Sequence, residues 1–154
     1  MAEVELKEID RESWEECMRL VLRLEQGGLV APHRYQGADF AAEPSFVQMG
    51  VYHEGEMVGY AMYGQDPDDG HWWIYRLMID EEHQGRGFGK AALAAMLDTL
   101  KRNHGCTEVY MGYRPENHVA AALAWTMGFE RTGQMLQGEY IVKLDLNGAP
   151  DSTQ

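Results

Sequence analysis

A glycine-rich turn between Gln84 and Lys90 is the part of the sequence whose residue types and spacing are best suited to chemistry. Its letters are QGRGFGK, with glycine at every second position from Gly85 to Gly89 and with Arg86 as a second basic residue. Successive backbone amides that no Cβ atom obstructs form a concave anion-binding nest, which the positive end of a helix dipole strengthens. The turn therefore predicts a phosphate-binding site, in particular one for a pyrophosphate.

Spacing separates three phosphate-binding motifs that this turn could represent. A Walker P-loop is excluded, because its first glycine would fall at Gln84 and its serine or threonine at Ala91. The dinucleotide motif G-x-G-x-x-G/A matches formally over residues 87–92, but it should begin directly at a strand end. That motif also needs an acidic residue closing the next strand, and this strand leads into Arg114 instead. The remaining motif is Gln-x-x-Gly-x-Gly. It matches residues 84–89, a few residues after a hydrophobic strand.

The elements that must position this turn alternate between strand and helix patterns. In order, the sequence predicts a strand, a helix, a hairpin, a central strand at 71–79, a helix at 87–103, a strand at 107–113, a third helix and two final strands. The central strand, HWWIYRLMI, is almost continuously apolar, which is typical of a strand covered on both faces. A long irregular segment before the hairpin contains one predicted helical turn near residues 39–42. This order predicts an α/β fold.

Length and composition restrict the class of protein. The 154 residues are 45% hydrophobic, which predicts a single domain over residues 1–146, with residues 147–154 as a disordered tail. No signal peptide or membrane span is recognisable, so we expect a cytoplasmic protein. The formal net charge of −12 disfavours nucleic acid and anionic membranes as partners; it suits a cationic ligand or solubility alone. The scattered histidines predict no metal site, and Cys17 and Cys106 are expected to be core thiols.

Two segments of the sequence resemble the Gcn5-related N-acetyltransferase (GNAT) superfamily. The segment LMIDEEHQGRGFGKAAL resembles that family's acetyl-CoA motif, and ENHVAAALAWTMGFERTG resembles its later Asn-to-Gly-Phe segment. The resemblance extends over residues 4–146, and the segments QGRGFGKAAL, PEN, GFERTG and GEY are together similar to bacterial spermine/spermidine or diamine acetyltransferases. It implies an α/β fold of the GNAT type: a mixed, mostly antiparallel twisted sheet, about four helices, and a central parallel strand pair splayed around the cofactor.

The resemblance also implies an activity. A primary amine, with a polyamine favoured, would attack the thioester of acetyl-CoA directly within a ternary complex. An aminoglycoside, an amino acid or a protein N-terminus is the alternative acceptor. A CoA-binding sensor that is weak or inactive in catalysis is the alternative from another class. The implied partner is a small-molecule amine, and a homodimer is compatible with the resemblance.

The resemblance implies cofactor-binding roles for particular residues. Pantetheine would lie along Leu77, Met78 and Ile79 like an added strand. A backbone amide of Met78 or Ile79 would polarise the thioester carbonyl and hold the oxyanion. The pyrophosphate would be held by Gln84, Gly85, Arg86, Gly87, Phe88, Gly89 and Lys90. Asn117 would touch the pantetheine arm, and it also fits a plain helix N-cap.

The acceptor side departs from the family pattern, because the usual glutamate on the strand before the turn is missing. That stretch offers Trp73 and Tyr75 and no carboxylate. An amine with a pKa near 10 must lose a proton before attack, so a base or a water chain is required. Glu25, Asp39 and Glu43, around the long first loop, are the remaining acidic candidates, which could attract a polyamine and pass its proton on through water; with Tyr75 they are the candidate substrate-binding residues. The three acids are equally interpretable as ordinary surface acids.

The second departure from the family pattern concerns the general acid that protonates the sulfur. The family often has a tyrosine seven residues after the asparagine, and that position is Ala124 here. Tyr113 ends the strand that precedes the third helix, so its hydroxyl is a candidate to fill the space that Ala124 leaves. The alternatives are that Tyr113 only packs at a strand end and that the thiolate leaves without a protein acid.

Overall fold

The computed structural model describes residues 3–26 and 46–147, with the side chains of residues 21–26 left out. The strands are β1 (Glu5–Glu8), β2 (Phe46–His53), β3 (Glu56–Gln65), β4 (Trp72–Ile79), β5 (Glu108–Tyr113), β6 (Glu130–Leu136) and β7 (Glu139–Asp145). The helices are α1 (Trp14–Gln26), α2 (Phe88–His104) and α3 (His118–Thr126), with a 3₁₀ turn at Glu81–His83. The predicted order of elements is confirmed. The helical turn predicted near residues 39–42 lies outside the described residues.

The strands form one seven-stranded sheet in the order β1-β2-β3-β4-β5-β7-β6. All neighbouring strands are antiparallel except β4 and β5, so the predicted mixed, mostly antiparallel sheet is confirmed. The parallel pair is joined at one position only, Trp73 opposite Tyr110. This position is near the start of β4, and no ladder joins the two strands beyond it. The strands therefore separate towards their C-terminal ends at Ile79 and Tyr113, which leaves an opening between them.

Two tight hairpins fix the register on either side of this opening. Glu54 and Gly55 connect β2 to β3 with φ angles of 52° and 84°. Gln137 and Gly138 connect β6 to β7 with φ angles of 51° and 83°. Positive φ at both loop residues matches the twist of the flanking strands and explains the glycine at the second position. The hairpin predicted at residues 53–56 is confirmed.

Each face of the sheet has its own buried cluster. On one face, α2 packs against the sheet, chiefly against β4 and β1. We call the cluster on this face the α2 core, and its members include Phe88, Leu93, Leu97, Leu100, Met111, Tyr113 and Ala124. On the other face α1 packs; we call this cluster the α1 core, and its members include Cys17, Leu20, Phe46, Trp73, Tyr75, Met78 and Ile141. Strand β4 contributes to both clusters, so the prediction that it is covered on both faces is confirmed.

The two cysteines are free and buried in different parts of the molecule. Burial raises the pKa of the Cys17 thiol to about 12, so it stays protonated and packs as a small apolar group. The prediction of core thiols is confirmed. Within residues 3–26 and 46–147, no helix is long and apolar enough to cross a membrane.

Candidate active site

The glycine-rich turn presents backbone amides that have no hydrogen-bond partner in the described part of the chain. Gly85 and Gly87 have φ angles of 79° and 85°, a region that glycine enters without steric cost. The amide of Ala91 donates to the Gly87 carbonyl at 3.1 Å and begins the ladder of α2. No described residue accepts a hydrogen bond from the amides of residues 85–90. These free donors lie at the positive end of a 17-residue helix, which is the arrangement that binds an anion.

A pocket of about 280 Å³ opens between this turn and α3. Its lining is formed by Gly85, Gly87, Gly89, Lys90, Val119, Ala122, Leu123 and Thr126. A Cβ atom on Gly89 would lie 3.8 Å from Ile79 Cγ1 and 4.0 Å from Leu123 Cδ2. The turn, the end of β4 and α3 therefore meet at one point, next to the opening between β4 and β5. Val119 is 80% exposed, so the outer wall of the pocket is apolar and accessible.

Two positive side chains accompany the free amides. Arg86 and Lys90 are both exposed. The guanidinium carbon of Arg86 lies 4.8 Å from the centre of the buried Phe88 ring, a cation–π contact that holds its charge beside the turn. Free amides, positive charge and an adjacent apolar pocket fit a ligand that has a diphosphate and an uncharged arm, as acetyl-CoA does.

The edge of β4 that faces the opening is defined by its register with β3. The amide of Asp80 donates to the Val58 carbonyl of β3 at 2.7 Å. Amide directions alternate along a strand, so the Met78 amide also faces β3, whereas the amides of Leu77 and Ile79 face the opening. Of the two amides considered for the oxyanion, the geometry therefore favours that of Ile79.

Gln84 and Asn117 both make structural hydrogen bonds. The Gln84 side chain donates from Nε2 to the Ile79 carbonyl at 2.9 Å, so it ties the turn to the end of β4. The Asn117 Oδ1 atom accepts from the Ala120 amide at 3.0 Å and caps α3. The N-cap interpretation of Asn117 is confirmed, and its contact with pantetheine stays a prediction.

Tyr113 is the last residue of β5, beside the opening between β4 and β5. It is 8% exposed, and its ring meets that of Tyr140 edge-on with centroids 6.0 Å apart. Tyr113 and Ala124 belong to the same buried cluster, the α2 core. No described residue forms a hydrogen bond with the Tyr113 hydroxyl. Its role as general acid stays a prediction.

Of the residues predicted to bind the acceptor, the structure describes the side chain of Tyr75. Asp39, Glu43 and the side chain of Glu25 lie outside the described residues. Tyr75 is buried in the α1 core, where its ring centroid lies 4.6 Å from that of Phe46 and its hydroxyl donates to Asp66 Oδ2 at 3.2 Å. A contact between Tyr75 and the acceptor stays a prediction.

Sequence reasoning overlooked Glu139, the first residue of β7. Glu139 is 6% exposed, and its Oε2 atom has no hydrogen-bond partner among the described residues. Burial raises the pKa of this carboxyl to about 7, and the charge of Arg114 opposes that rise only in part. The letters GEY show a glutamate after a hairpin glycine, but nothing local in them indicates burial.

Comparisons with known proteins agree with this geometry. The family model described as acetyltransferase (GNAT) family matches residues 5–129. The spermine/spermidine N(1)-acetyltransferase of Bacillus subtilis is 34% identical over 105 residues, which cover 64% of this chain and 69% of that protein.

Two solved structures share the fold. Spermidine N-acetyltransferase from Vibrio cholerae, in complex with CoA and spermine, has a TM-score of 0.74 at 15% identity and covers 94% of this chain and 96% of that chain. RimJ from Mycobacterium smegmatis, in complex with CoA-disulfide, has a TM-score of 0.77 at 18% identity and covers 96% of this chain and 84% of that chain. At these identities the structures show the fold alone. The match of the family model over most of the sequence shows that this chain belongs to the GNAT family of acetyltransferases.

Proposed function

We propose that this acetyltransferase transfers the acetyl group of acetyl-CoA to a primary amine of a polyamine. N-acetyl transfer from acetyl-CoA is the activity of the family to which the chain belongs. One observation carries the proposal for the site: β4 and β5 are joined at a single position and then separate, with the free amides of the glycine-rich turn at the mouth of the opening.

The residues around the opening divide the work of binding. Acetyl-CoA supplies an activated acyl carbonyl and a thiol leaving group. The amides of residues 85–90, with Arg86 and Lys90, bind the diphosphate. The outward backbone edge of Leu77 and Ile79 pairs with the pantetheine amides. The Ile79 amide donates to the carbonyl oxygen as it gains negative charge, and Tyr113 gives a proton to the sulfur.

Two observations favour a polyamine as the acceptor. The Bacillus subtilis relative is named for its activity on spermine and spermidine. The net charge of −12 raises the local concentration of a polycation, an effect that screening by salt reduces. The negative charge of the protein raises the local concentration of a monoamine of similar size less, because a monoamine carries a single positive charge.

The test is thiol release from acetyl-CoA across a panel of amines at low salt. The panel contains spermidine, spermine, a diamine, a monoamine of matched length, an aminoglycoside, an amino acid and a peptide with a free N-terminus. We expect the largest kcat/KM with a polyamine. A faster reaction with the aminoglycoside, the amino acid or the peptide would refute the polyamine assignment. A chain that binds CoA in calorimetry but releases no thiol would instead be a sensor.

A further inference from the structure

Glu139 is a buried carboxyl at the edge of the opening, and the charge of Arg114 compensates its burial only in part. No cationic side chain among the described residues forms an ion pair with it, and its Oε2 atom lacks a hydrogen-bond partner there. Buried carboxylates that serve only the fold are normally paired or fully hydrogen-bonded. A nearly buried carboxylate with a free oxygen therefore suggests a cationic group other than the described side chains.

The position of this carboxylate is set by a glycine on the neighbouring strand. A Cβ atom on Gly112 would lie 2.6 Å from Glu139 Oε1, so the carboxylate occupies the place of the missing side chain. Gly112 is paired with Ile141, two residues after Glu139 on β7. Side chains two apart on a strand share a face, and Ile141 belongs to the α1 core. Glu139 therefore lies on the α1 face of the sheet.

This placement puts Glu139 on the far side of the opening from the pocket. Gly112 lies two residues beyond Tyr110, the last point at which β5 is joined to β4. The pocket lined by the glycine-rich turn and α3 lies on the α2 face, because Leu123 and Ala124 of α3 pack in the α2 core. A donor bound in the pocket and an acceptor beside Glu139 would approach each other through the opening from opposite faces.

We propose that Glu139 is the general base of the reaction: its carboxylate receives the ammonium group of the acceptor and removes the proton that prevents attack. This inference rests on the proposed function and adds the group that takes the proton. It assigns to a residue of β7 the proton transfer for which Glu25, Asp39 and Glu43 are the acidic candidates in the sequence.

The reaction transfers two protons away from the acceptor nitrogen. One ammonium proton moves to Glu139 Oε2, and the freed nitrogen lone pair forms the C–N bond to the acetyl carbon. The C–S bond breaks and its electron pair remains on sulfur, which takes the hydroxyl proton of Tyr113; the second nitrogen proton then restores the Tyr113 hydroxyl. Glu139 then returns its proton to solvent. The products are the N-acetyl amine, the thiol of CoA and one proton.

The acid–base properties of Glu139 suit this task. Burial raises its pKa to about 7, so it is a stronger base than an exposed glutamate, about half ionised at pH 7 and largely ionised above that pH. Arg114, at the end of β5, is the described cation that bears on this pKa. The other charged or titratable side chains described on the α1 face are Cys17 of α1 together with Tyr60, Asp66, Tyr75, Arg76, Glu108, Tyr110, Lys143 and Asp145.

Glu139→Gln tests the proposal because it keeps the shape of the side chain and removes the base. We expect kcat/KM for spermidine at pH 7 to fall about a hundredfold or more. In the wild type, kcat/KM should rise with pH, bend near pH 7 and reach a plateau above it. The variant should have no bend there, and its kcat/KM should rise about tenfold per pH unit towards the pKa of the free amine, near 10. CoA affinity, measured by calorimetry, should be unchanged.

Glu130→Gln is the matched control, because it removes an exposed glutamate at the start of the neighbouring strand β6. It should keep the wild-type rate and pH profile. Gly112→Ala is the second variant: its Cβ must displace the Glu139 carboxylate, so it should lower kcat/KM in the wild type and add little further loss to Glu139→Gln.

Three outcomes are distinguishable. If the wild type acetylates polyamines and Glu139→Gln keeps both its rate and the bend near pH 7, Glu139 is not the base and the proposed function stands. Fully additive losses from Gly112→Ala and Glu139→Gln would also overturn the assignment. If the wild-type chain releases no thiol with any amine, the proposed function fails and the role of Glu139 as base fails with it.

Discussion

The buried carboxyl of Glu139 should make the free energy of unfolding depend on pH. The substitution Glu139→Gln should remove this dependence. Burial raises its pKa from the ordinary value of 4.5 to about 7. Between these two values the native state binds more protons than the unfolded chain. The free energy of unfolding therefore falls as pH rises through this window and is constant with respect to this group above it.

The size of the effect follows from the difference between the two pKa values. A difference of about 2.5 pH units, at 1.36 kcal/mol for each unit, corresponds to about 3 kcal/mol. Glu139→Gln is neutral throughout, so the difference in unfolding free energy between the variant and the wild type should change by about 3 kcal/mol between pH 4 and pH 8. For a chain of this size, that corresponds to a relative change in Tm of roughly 6–12 °C.

Urea denaturation of both proteins at each pH measures this difference directly, with Glu130→Gln as the control for loss of an exposed carboxylate. Subtracting the two curves removes every other titrating group that the proteins share. A difference that varies by less than about 1 kcal/mol from pH 4 to pH 8 would show that Glu139 is well solvated or paired, and would refute the reasoning from burial.

Three further predictions concern the two substrates. Gly87→Val should abolish acetyl-CoA binding while the fold survives, because a branched Cβ at a φ of 85° disfavours the nest; Gly105→Val, with a φ of 64° at the other end of α2, should leave binding intact. Tyr113→Phe should lower kcat about a hundredfold with little change in either KM, whereas Tyr140→Phe should have a milder effect. The advantage of spermidine over a monoamine of matched length should shrink as salt rises from about 0.01 M to 1 M, measured as the ratio of kcat/KM values.

Each of these predictions has an outcome that contradicts it. Unchanged acetyl-CoA affinity in folded Gly87→Val would contradict the phosphate-binding role of the turn. Near-full turnover of Tyr113→Phe across the pH range would show that the thiolate leaves without this residue. A spermidine preference that is independent of salt would show that contacts in the site, and not the field of the whole molecule, select the polyamine.

Local features of the sequence determined much of the fold and of the cofactor side of the site. Alternation and apolar runs predicted the strand and helix order, because side chains within a few residues of each other decide which face an element buries. The glycines at 85 and 87 predicted the nest, because a positive φ is a property of one residue and its immediate neighbours. The resemblance to GNAT proteins likewise rests on contiguous motifs.

Contacts between distant residues decided the rest. The backbone amide of Ile79, and not that of Met78, faces the opening because of the register between β4 and β3. This register cannot be inferred from the residues near the glycine-rich turn. The basicity of Glu139 depends on Gly112, which is 27 positions earlier in the chain and lies beside it only because β5 pairs with β7. Backbone conformation is a local property that the sequence by itself determined. The solvation of a carboxylate depends on which other strand covers it, and only the tertiary structure decided that.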